Sequence, residues 1–310
     1  MTIVVKVEDV MSSPVWAVRP EDSLMHARNE MISRGVKKLP VVDDEGRCVG
    51  IVSMWDLAFS AGEEIDTARA RKTNVPLDGL VKDAMTADPF VVEPGQDLRR
   101  VIREFVNRNI QSAPVVQNGV LQGILTESDI LRGMIDAMPQ TFVVGDIMSP
   151  DLVTVHRHTS LPKVLSAIQE NRVHQLPVEE SAGVLVGMVS LSNIVFGHWL
   201  NPRQRIEKRI TTVHKGDHAG RKDSRHVEEV YAVVEDVMTQ GVVTADVRQG
   251  VKTVANILLH EGFNALPVVE EGKPVGIITR RDILRSLSDQ PPQSEVHGHH
   301  LYEGHKPHPM

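Results

Sequence analysis

Pro114-Val-Val-Gln-Asn-Gly-Val-Leu-Gln-Gly-Ile-Leu-Thr-Glu-Ser-Asp129 is the stretch that decides the fold of this 310-residue chain. Its two apolar runs, Val115-Val116 and Leu121-to-Leu125, flank Asn118-Gly119, and an Asn-Gly pair in that setting predicts a tight hairpin. Thr126-Glu-Ser-Asp129 follows at once and opens a helix. Upstream, Met85 precedes Pro114 by 29 residues, and the same interval separates Met11 from Pro40, Met148 from Pro177 and Met238 from Pro267. A Gly follows each Pro by 9 or 10 residues (Gly50, Gly123, Gly187, Gly276), and an Asp or Asn stands 6 beyond it (Asp56, Asp129, Asn193, Asp282). One supersecondary unit is therefore written four times.

Aligned on the Met, the units share an apolar i, i+3, i+7 stripe, which marks an amphipathic helix. It reads Leu24, Ala27, Met31; Leu98, Val101, Phe105; Leu161, Val164, Ile168; and Val251, Val254, Leu258. Asp22 or Ser23, Asp97, and Thr159 or Ser160 can cap the first three helices, whereas Gln249-Gly250 gives the fourth a weaker start. Strands are expected before the helix, at Val15-to-Val18, Phe90-to-Val92, Leu152-to-Val155 and Val242-to-Thr244, and a second helix from Ser53, Thr126, Ser190 and Thr279. Each unit is then strand, helix, strand, strand, helix, an α+β class. Units of about 60 residues bury little apolar surface alone, which favours two intimate pairs. The polar stretch Ala61 to Leu80, with Arg69, Arg71 and Lys72, and the longer charged stretch Asn201 to Glu229, with His214, His218 and His226, suggest pairing one with two and three with four. The domain reading is 1–60, 78–136, 141–199 and 230–288 for the repeats, 200–229 for a charged linker and 289–310 for a His-rich tail.

Composition excludes several classes of function. The chain is 41% hydrophobic and 24% charged, contains no apolar run near the ~20 residues of a membrane span and shows no signal-peptide pattern, so a cytoplasmic protein without membrane contact is expected. Cys48 is the single cysteine, so no internal disulfide or multi-Cys metal site can form. A net charge of -7 opposes general adsorption to nucleic acid, and six Phe, three Trp and two Tyr are too few for base-stacking platforms. No Ser-His-Asp order, metal cluster, P-loop or dinucleotide fingerprint stands outside the repeats, so no enzyme and no catalytic residue is expected. His297, His299, His300, His305 and His308 lack fixed spacing, and the tail carrying them reads as disordered rather than metal-binding.

The order and spacing of these residues resemble the CBS domain, the regulatory module first recognised in cystathionine beta-synthase, across all four repeats. The resemblance implies that paired repeats associate about a pseudo-twofold axis into Bateman modules. The clefts between such repeats bind adenosine-containing ligands. Two modules in one chain give a layout similar to the gamma subunit of AMP-activated protein kinase.

The candidate sites are Ser53-Met-Trp-Asp56, Thr126-Glu-Ser-Asp129, Ser190-Leu-Ser-Asn193 and Thr279-Arg-Arg-Asp282. A hydroxyl at a helix N-terminus suits a phosphate, and a carboxylate one turn on can accept bonds from ribose hydroxyls. In the family the Ser/Thr contacts phosphate and the Asp contacts ribose. The same pattern is also a capping box that needs no ligand, and both readings stand. Thr279, Arg280, Arg281 and Asp282 make the fullest match, because Arg grips phosphate with two parallel bonds. In the third repeat Ser190, Ser192 and Asn193 resemble the kinase subunit, with Asn replacing Asp; Glu127 and the bulky Met54-Trp55 make repeats two and one poorer for a polyphosphate. The family often places a basic residue before the Pro; here Lys37 and Lys38, or His174, fill that place, with Gln111 and Asn264 in the other two repeats.

The expected function is a non-enzymatic regulator binding AMP, ADP or ATP and signalling to a partner protein by a change of shape or assembly, with a homodimer allowed. A sensor of S-adenosylmethionine or another adenosine ligand, and a ligand-free interaction scaffold, are the alternatives.

Overall fold

Every residue of the four stripes is buried, at 5% exposure or less. The structure, a computed structural model, describes residues 4–59, 79–139, 141–181, 183–197, 207–213, 224–230 and 232–288. Repeat one comprises α1 (Leu24–Arg34), β1 (Lys38–Val42), β2 (Cys48–Ser53) and α2 (Met54–Phe59). Repeat two comprises α3 (Leu98–Asn107), β3 (Ser112–Gln117), β4 (Val120–Thr126) and α4 (Glu127–Met134). Repeat three contributes α5 (Leu161–Asn171), β5 (Gln175–Ser181) and β6 (Val184–Ser190). After β7 (Glu207–Val213) and β8 (Ser224–Val230), repeat four comprises α6 (Val251–His260), β9 (Ala265–Glu270), β10 (Lys273–Thr279) and α7 (Arg280–Ser288). Ser23 and Asp97 cap their helices, accepting from His26 N at 3.1 Å and Arg99 N at 2.8 Å; Ser160 does not.

The strand ahead of each first helix is at most two residues long, and in repeats three and four it starts at or beyond the end of the apolar run expected to form it, at Val155 after Leu152-to-Val155 and at Ala245 after Val242-to-Thr244. Val18 pairs with Val41 and Val92 with Val115 by single parallel bridges, while Val155–His156 pairs with β5 and Ala245–Asp246 with β9. The partner in every case is the residue after the repeated Pro. Pro has no N–H, so the ladder has no donor with which to run further upstream. In repeat three the second helix is a π-helical turn, Asn193–Gly197, where Ile194-Val195-Phe196-Gly197 is poor in helix formers. The charged stretch read as a linker holds an antiparallel ribbon, with β7 and β8 in register from Glu207↔Val230 to Val213↔Ser224. Ile210-Thr211-Thr212-Val213 supplies the β-branched run such a ribbon favours. The first linker's Arg69, Arg71 and Lys72, the residues His214 and His218, and the His-rich tail lie outside the described residues.

Repeats one and two, and three and four, exchange their leading segments. Val7, Val81, Val144 and Val234 are fully buried on short helical turns that dock on the partner repeat. The first free N–H of each stripe helix is satisfied there: Leu98 N donates to Val5 O, Leu24 N to Gly79 O, Val251 N to Phe142 O and Leu161 N to Ala232 O, at 2.8–3.0 Å. Beyond each Met, the chain pairs antiparallel with the partner's hairpin: Ser12 with Ile124, Thr86 with Ile51, Ser149 with Ile277 and Thr239 with Met188.

These two pairs of repeats, each a module, are fused by shared cores. One buried cluster joins repeats two and four, from Leu98, Phe105 and Ile130 to Leu258, Ile283 and Leu284. A second joins repeats one and three, from Met31, Leu39 and Leu57 to Ile168, Leu176 and Leu191. The helix N-termini of all four repeats therefore gather near the contact between modules. Among the described residues no helix is long and apolar enough to cross a membrane.

Candidate ligand clefts

The four Ser/Thr-x-x-Asp/Asn segments are capping boxes. Oδ2 of Asp129 accepts from Thr126 N at 2.9 Å and Thr126 Oγ1 at 2.6 Å, and Asp56 and Asp282 hold Ser53 and Thr279 in the same way. Asn193 does so through Oδ1, 2.8 Å from Ser190 N and 2.5 Å from Ser190 Oγ. The cap engages one side-chain atom and leaves the other facing the partner repeat. Oδ1 of Asp129 accepts from Ser12 Oγ at 3.2 Å, Oδ1 of Asp282 from Ser149 Oγ at 3.3 Å, and Nδ2 of Asn193 reaches Thr239 Oγ1 at 3.5 Å.

Each such contact is the floor of a cleft. Asp129, Thr126 and Ser12 share theirs with Val36 and Lys37. Asn193, Ser190 and Thr239 share a space of about 190 Å³ with Phe263 and Asn264. The clefts of Asp56, with Thr86 and Gln111, and of Asp282, with Ser149 and His174, run together into a space of about 760 Å³. Every cleft thus combines the cap of one repeat with two pieces of its pair partner: the residue after the Met and the segment before the Pro.

The segments before the Pro also meet one another. Lys37, Gln111, His174 and Asn264 occupy one alignment position, three before the Pro, and all four line a chamber of about 440 Å³ continuous with the Asp129 cleft. Lys38 donates from Nζ to Gln111 Oε1 at 3.2 Å; burial, opposed by Glu127 and aided by Arg281, pushes its ammonium down to about 8. His174 meets Trp55 edge-on at 5.2 Å, and burial together with the charges of Lys38, Arg281 and Lys37 pushes its imidazolium down to about 4. Burial also raises the Asp56 carboxyl above its ordinary value.

Arg280 and Arg281 reach across to the other module. Arg280 is 9% exposed and donates to Ser128 Oγ at 2.5 Å, Asn264 Oδ1 at 3.2 Å and Leu258 O at 2.8 Å. Arg281 grips Oε1 of Glu127 through Nε at 3.0 Å and Nη2 at 2.9 Å, and also donates to Asn109. The cations that made repeat four the fullest match are thus tied to Glu127 and Ser128, within the cap segment of repeat two. Arg280 lines the Asp129 chamber as well as the larger space.

The CBS domain family model matches residues 7–62, 81–136, 144–197 and 234–289, more than half of the chain. The chain belongs to the CBS-domain family. Over its length this four-repeat CBS protein is similar to protein MJ1225 of Methanocaldococcus jannaschii, at 25% identity over 279 residues covering 87% of this chain and 94% of the other. The crystal structure of MJ1225, a protein proposed as an archaeal homolog of g-AMPK, superposes with a TM-score of 0.74 at 23% identity, covering 91% and 99% of the two chains. A conserved protein from Pyrococcus horikoshii gives 0.58 at 20% identity, covering 91% and 100%. At that identity both structures establish the shared fold.

Within the CBS frame, Ser53, Asp56, Thr126, Asp129, Ser190, Ser192, Asn193, His174, Lys37, Lys38, Thr279, Arg280, Arg281 and Asp282 all line one of these spaces. Ser192 contacts Ser190 Oγ at 2.8 Å. The sequence reading missed the residue after each Met. Ser12, Thr86, Ser149 and Thr239 are all hydroxyl residues at one alignment position, a signal present in the sequence. It also missed Arg132 and Arg285, three residues after Asp129 and Asp282 and within 3.3 Å and 3.8 Å of their carboxylates.

Proposed function

We propose that this CBS protein is a non-enzymatic, cytoplasmic regulator that binds adenine nucleotides, AMP, ADP or ATP, in the clefts between paired repeats. Binding alters its shape or assembly and is read by a partner protein. The observation that carries this reading is the half-engaged carboxylate. In Asp129 and Asp282 one oxygen holds the cap while the other meets only a weakly bonded hydroxyl and an exposed Arg at the cleft wall. A ribose hydroxyl can replace Ser12 or Ser149 there without uncapping the helix. Lys37 and Lys38 beside the Asp129 cleft supply positive charge for the phosphate end.

Thermal unfolding of the full chain with AMP, ADP, ATP and S-adenosylmethionine in turn tests the reading. A ligand at 100 times its Kd stabilises the folded state by about 2.7 kcal/mol. Stabilisation by S-adenosylmethionine alone would assign the clefts to a different adenosine compound. Indifference to all four at millimolar concentration would leave the repeats as an assembly scaffold.

A further inference from the structure

We propose that the third-repeat cleft, built on Asn193, takes adenosine ligands whose 2′ or 3′ sugar oxygen is substituted and can only accept a hydrogen bond, while the three Asp clefts demand a free sugar diol. The inference rests on the adenosine reading above, and it makes Asn193 the residue that divides the clefts of one chain into two kinds.

Polarity is the first argument. At Asp56, Asp129 and Asp282 the cap uses Oδ2, and the atom left over is a carboxylate oxygen, which only accepts. Ser12 and Ser149 donate their protons to that oxygen at Asp129 and Asp282, at 3.2 Å and 3.3 Å, so what they offer the cleft is lone pairs as well. An edge of this kind matches the two donors of a free diol. At Asn193 the cap fixes the orientation of the amide. The backbone N–H of Ser190, 2.8 Å from Oδ1, needs an acceptor, so the oxygen faces the cap and Nδ2 faces the partner repeat. Nδ2 donates to Thr239 Oγ1 at 3.5 Å, and the Thr239 hydroxyl keeps its own proton for the cleft. The third edge therefore presents donors where the others present acceptors.

Charge is the second. Among the described residues, no acid lines the space of about 190 Å³ around Asn193 and Thr239, and Lys37 is its one cation. The spaces of Asp129 and Asp282 hold those carboxylates together with Glu127. An ether or ester oxygen set against a carboxylate leaves two acceptors with no proton between them, and an unmatched polar group loses its hydration without return. Against Asn193 and Thr239 the same oxygen meets an N–H and an O–H. AMP is not excluded from the third cleft, because a ribose hydroxyl accepts as well as donates.

Isothermal titration of the full chain with AMP and, separately, with 2′-O-methyl-AMP and 3′-O-methyl-AMP tests the proposal. AMP should fill more sites than the better of the two methylated ligands, which should fill one site per chain. Asn193→Asp should weaken that site at least roughly tenfold while AMP gains affinity there. The substitution introduces the residue that caps the other three repeats, and circular dichroism checks that the fold is kept. Asp129→Asn should act in the opposite sense and open a second site for the methylated ligand. Methylated ligand bound at as many sites as AMP, bound at none beside normal AMP binding, or bound unchanged by Asn193→Asp would overturn the proposal and leave the adenosine reading standing. Absence of AMP binding would overturn that reading, and this inference with it.

Discussion

Met11 of the first repeat lies against Gly123 of the second, where a Cβ would stand 3.1 Å from the Met11 sulfur and 2.8 Å from the Ser12 carbonyl oxygen. The relationship recurs between Met85 and Gly50, Met148 and Gly276, and Met238 and Gly187. The two most regular marks of the repeat are therefore halves of one contact made between repeats. At Gly276 a Cβ would approach the Ser149 carbonyl to 2.5 Å, and backbone cannot yield as a side chain can. Gly276→Ala should cost about 1–3 kcal/mol in urea unfolding. Gly95→Ala, with nothing within 4 Å and no left-handed φ, should be neutral or slightly stabilising. Equal effects at the two sites would show that the Met–Gly contact does not limit the pairing of repeats.

Asp129 has two separable roles. Asn193 already shows that an amide oxygen can hold the cap, taking Ser190 N at 2.8 Å. Asp129→Asn should thus leave stability within about 1 kcal/mol of wild type, while Asp129→Ala loses the cap at about 1–2 kcal/mol. AMP affinity should fall roughly tenfold in both, because the charge that strengthens a ribose hydrogen bond is gone in both. Titration calorimetry set beside denaturant unfolding would separate the two, and an Asn variant as unstable as the Ala variant would contradict the division.

His174 makes stability depend on pH. Its folded-state value of about 4 lies below the ordinary 6.5, so between those values the unfolded chain binds more protons than the folded one. Stability then rises as pH rises through 4 to 6.5, by up to a few kcal/mol from this group, and is fully recovered above 6.5. Asp56, its carboxyl raised by burial, acts in the opposite sense as pH falls. The difference between wild type and His174→Gln isolates the histidine. Urea midpoints at pH 4.5, 5.5 and 7 should diverge toward acid, with the variant falling less. Parallel midpoints would mean that His174 keeps its ordinary titration.

The part of this structure legible in the sequence was the part repeated within one unit. The stripe residues, the Asn118-Gly119 hairpin and the Thr126–Asp129 cap depend on neighbours a few positions away, and each lies where its spacing puts it. The Pro was also legible, but its consequence for the strand before it required knowing which strand lay alongside. Contacts between repeats left weaker traces. Nothing in Thr279-Arg-Arg-Asp282 says that Arg281 faces Glu127 rather than a ligand, because that depends on two modules meeting through α3, α4 and α7. The ribbon of β7 and β8 was hidden for another reason: Glu207-Lys208-Arg209 precede its β-branched run, and Arg225, His226, Glu228 and Glu229 crowd the second strand, so composition read as a solvated linker.

The Arg281–Glu127 pair is the clearest test of how the modules are joined. Their side chains are 19% and 13% exposed, so removing one partner leaves the other charge poorly hydrated rather than free in water. Glu127→Gln should therefore cost about 3 kcal/mol, more than an exposed ion pair contributes. Arg281→Gln should be costly as well, since Glu127 would then keep only the longer-range attraction of Lys38 and Arg280, neither of which forms an ion pair with it. In the double variant no charge is stranded, and much of the loss should return, leaving a coupling energy of about 1–3 kcal/mol in a double-mutant cycle. The apolar contacts between α3 and α7 persist throughout, so the modules should stay joined in all three variants. If the single losses simply add, the pair is a surface contact, and the cap segments of repeats two and four are not linked through it.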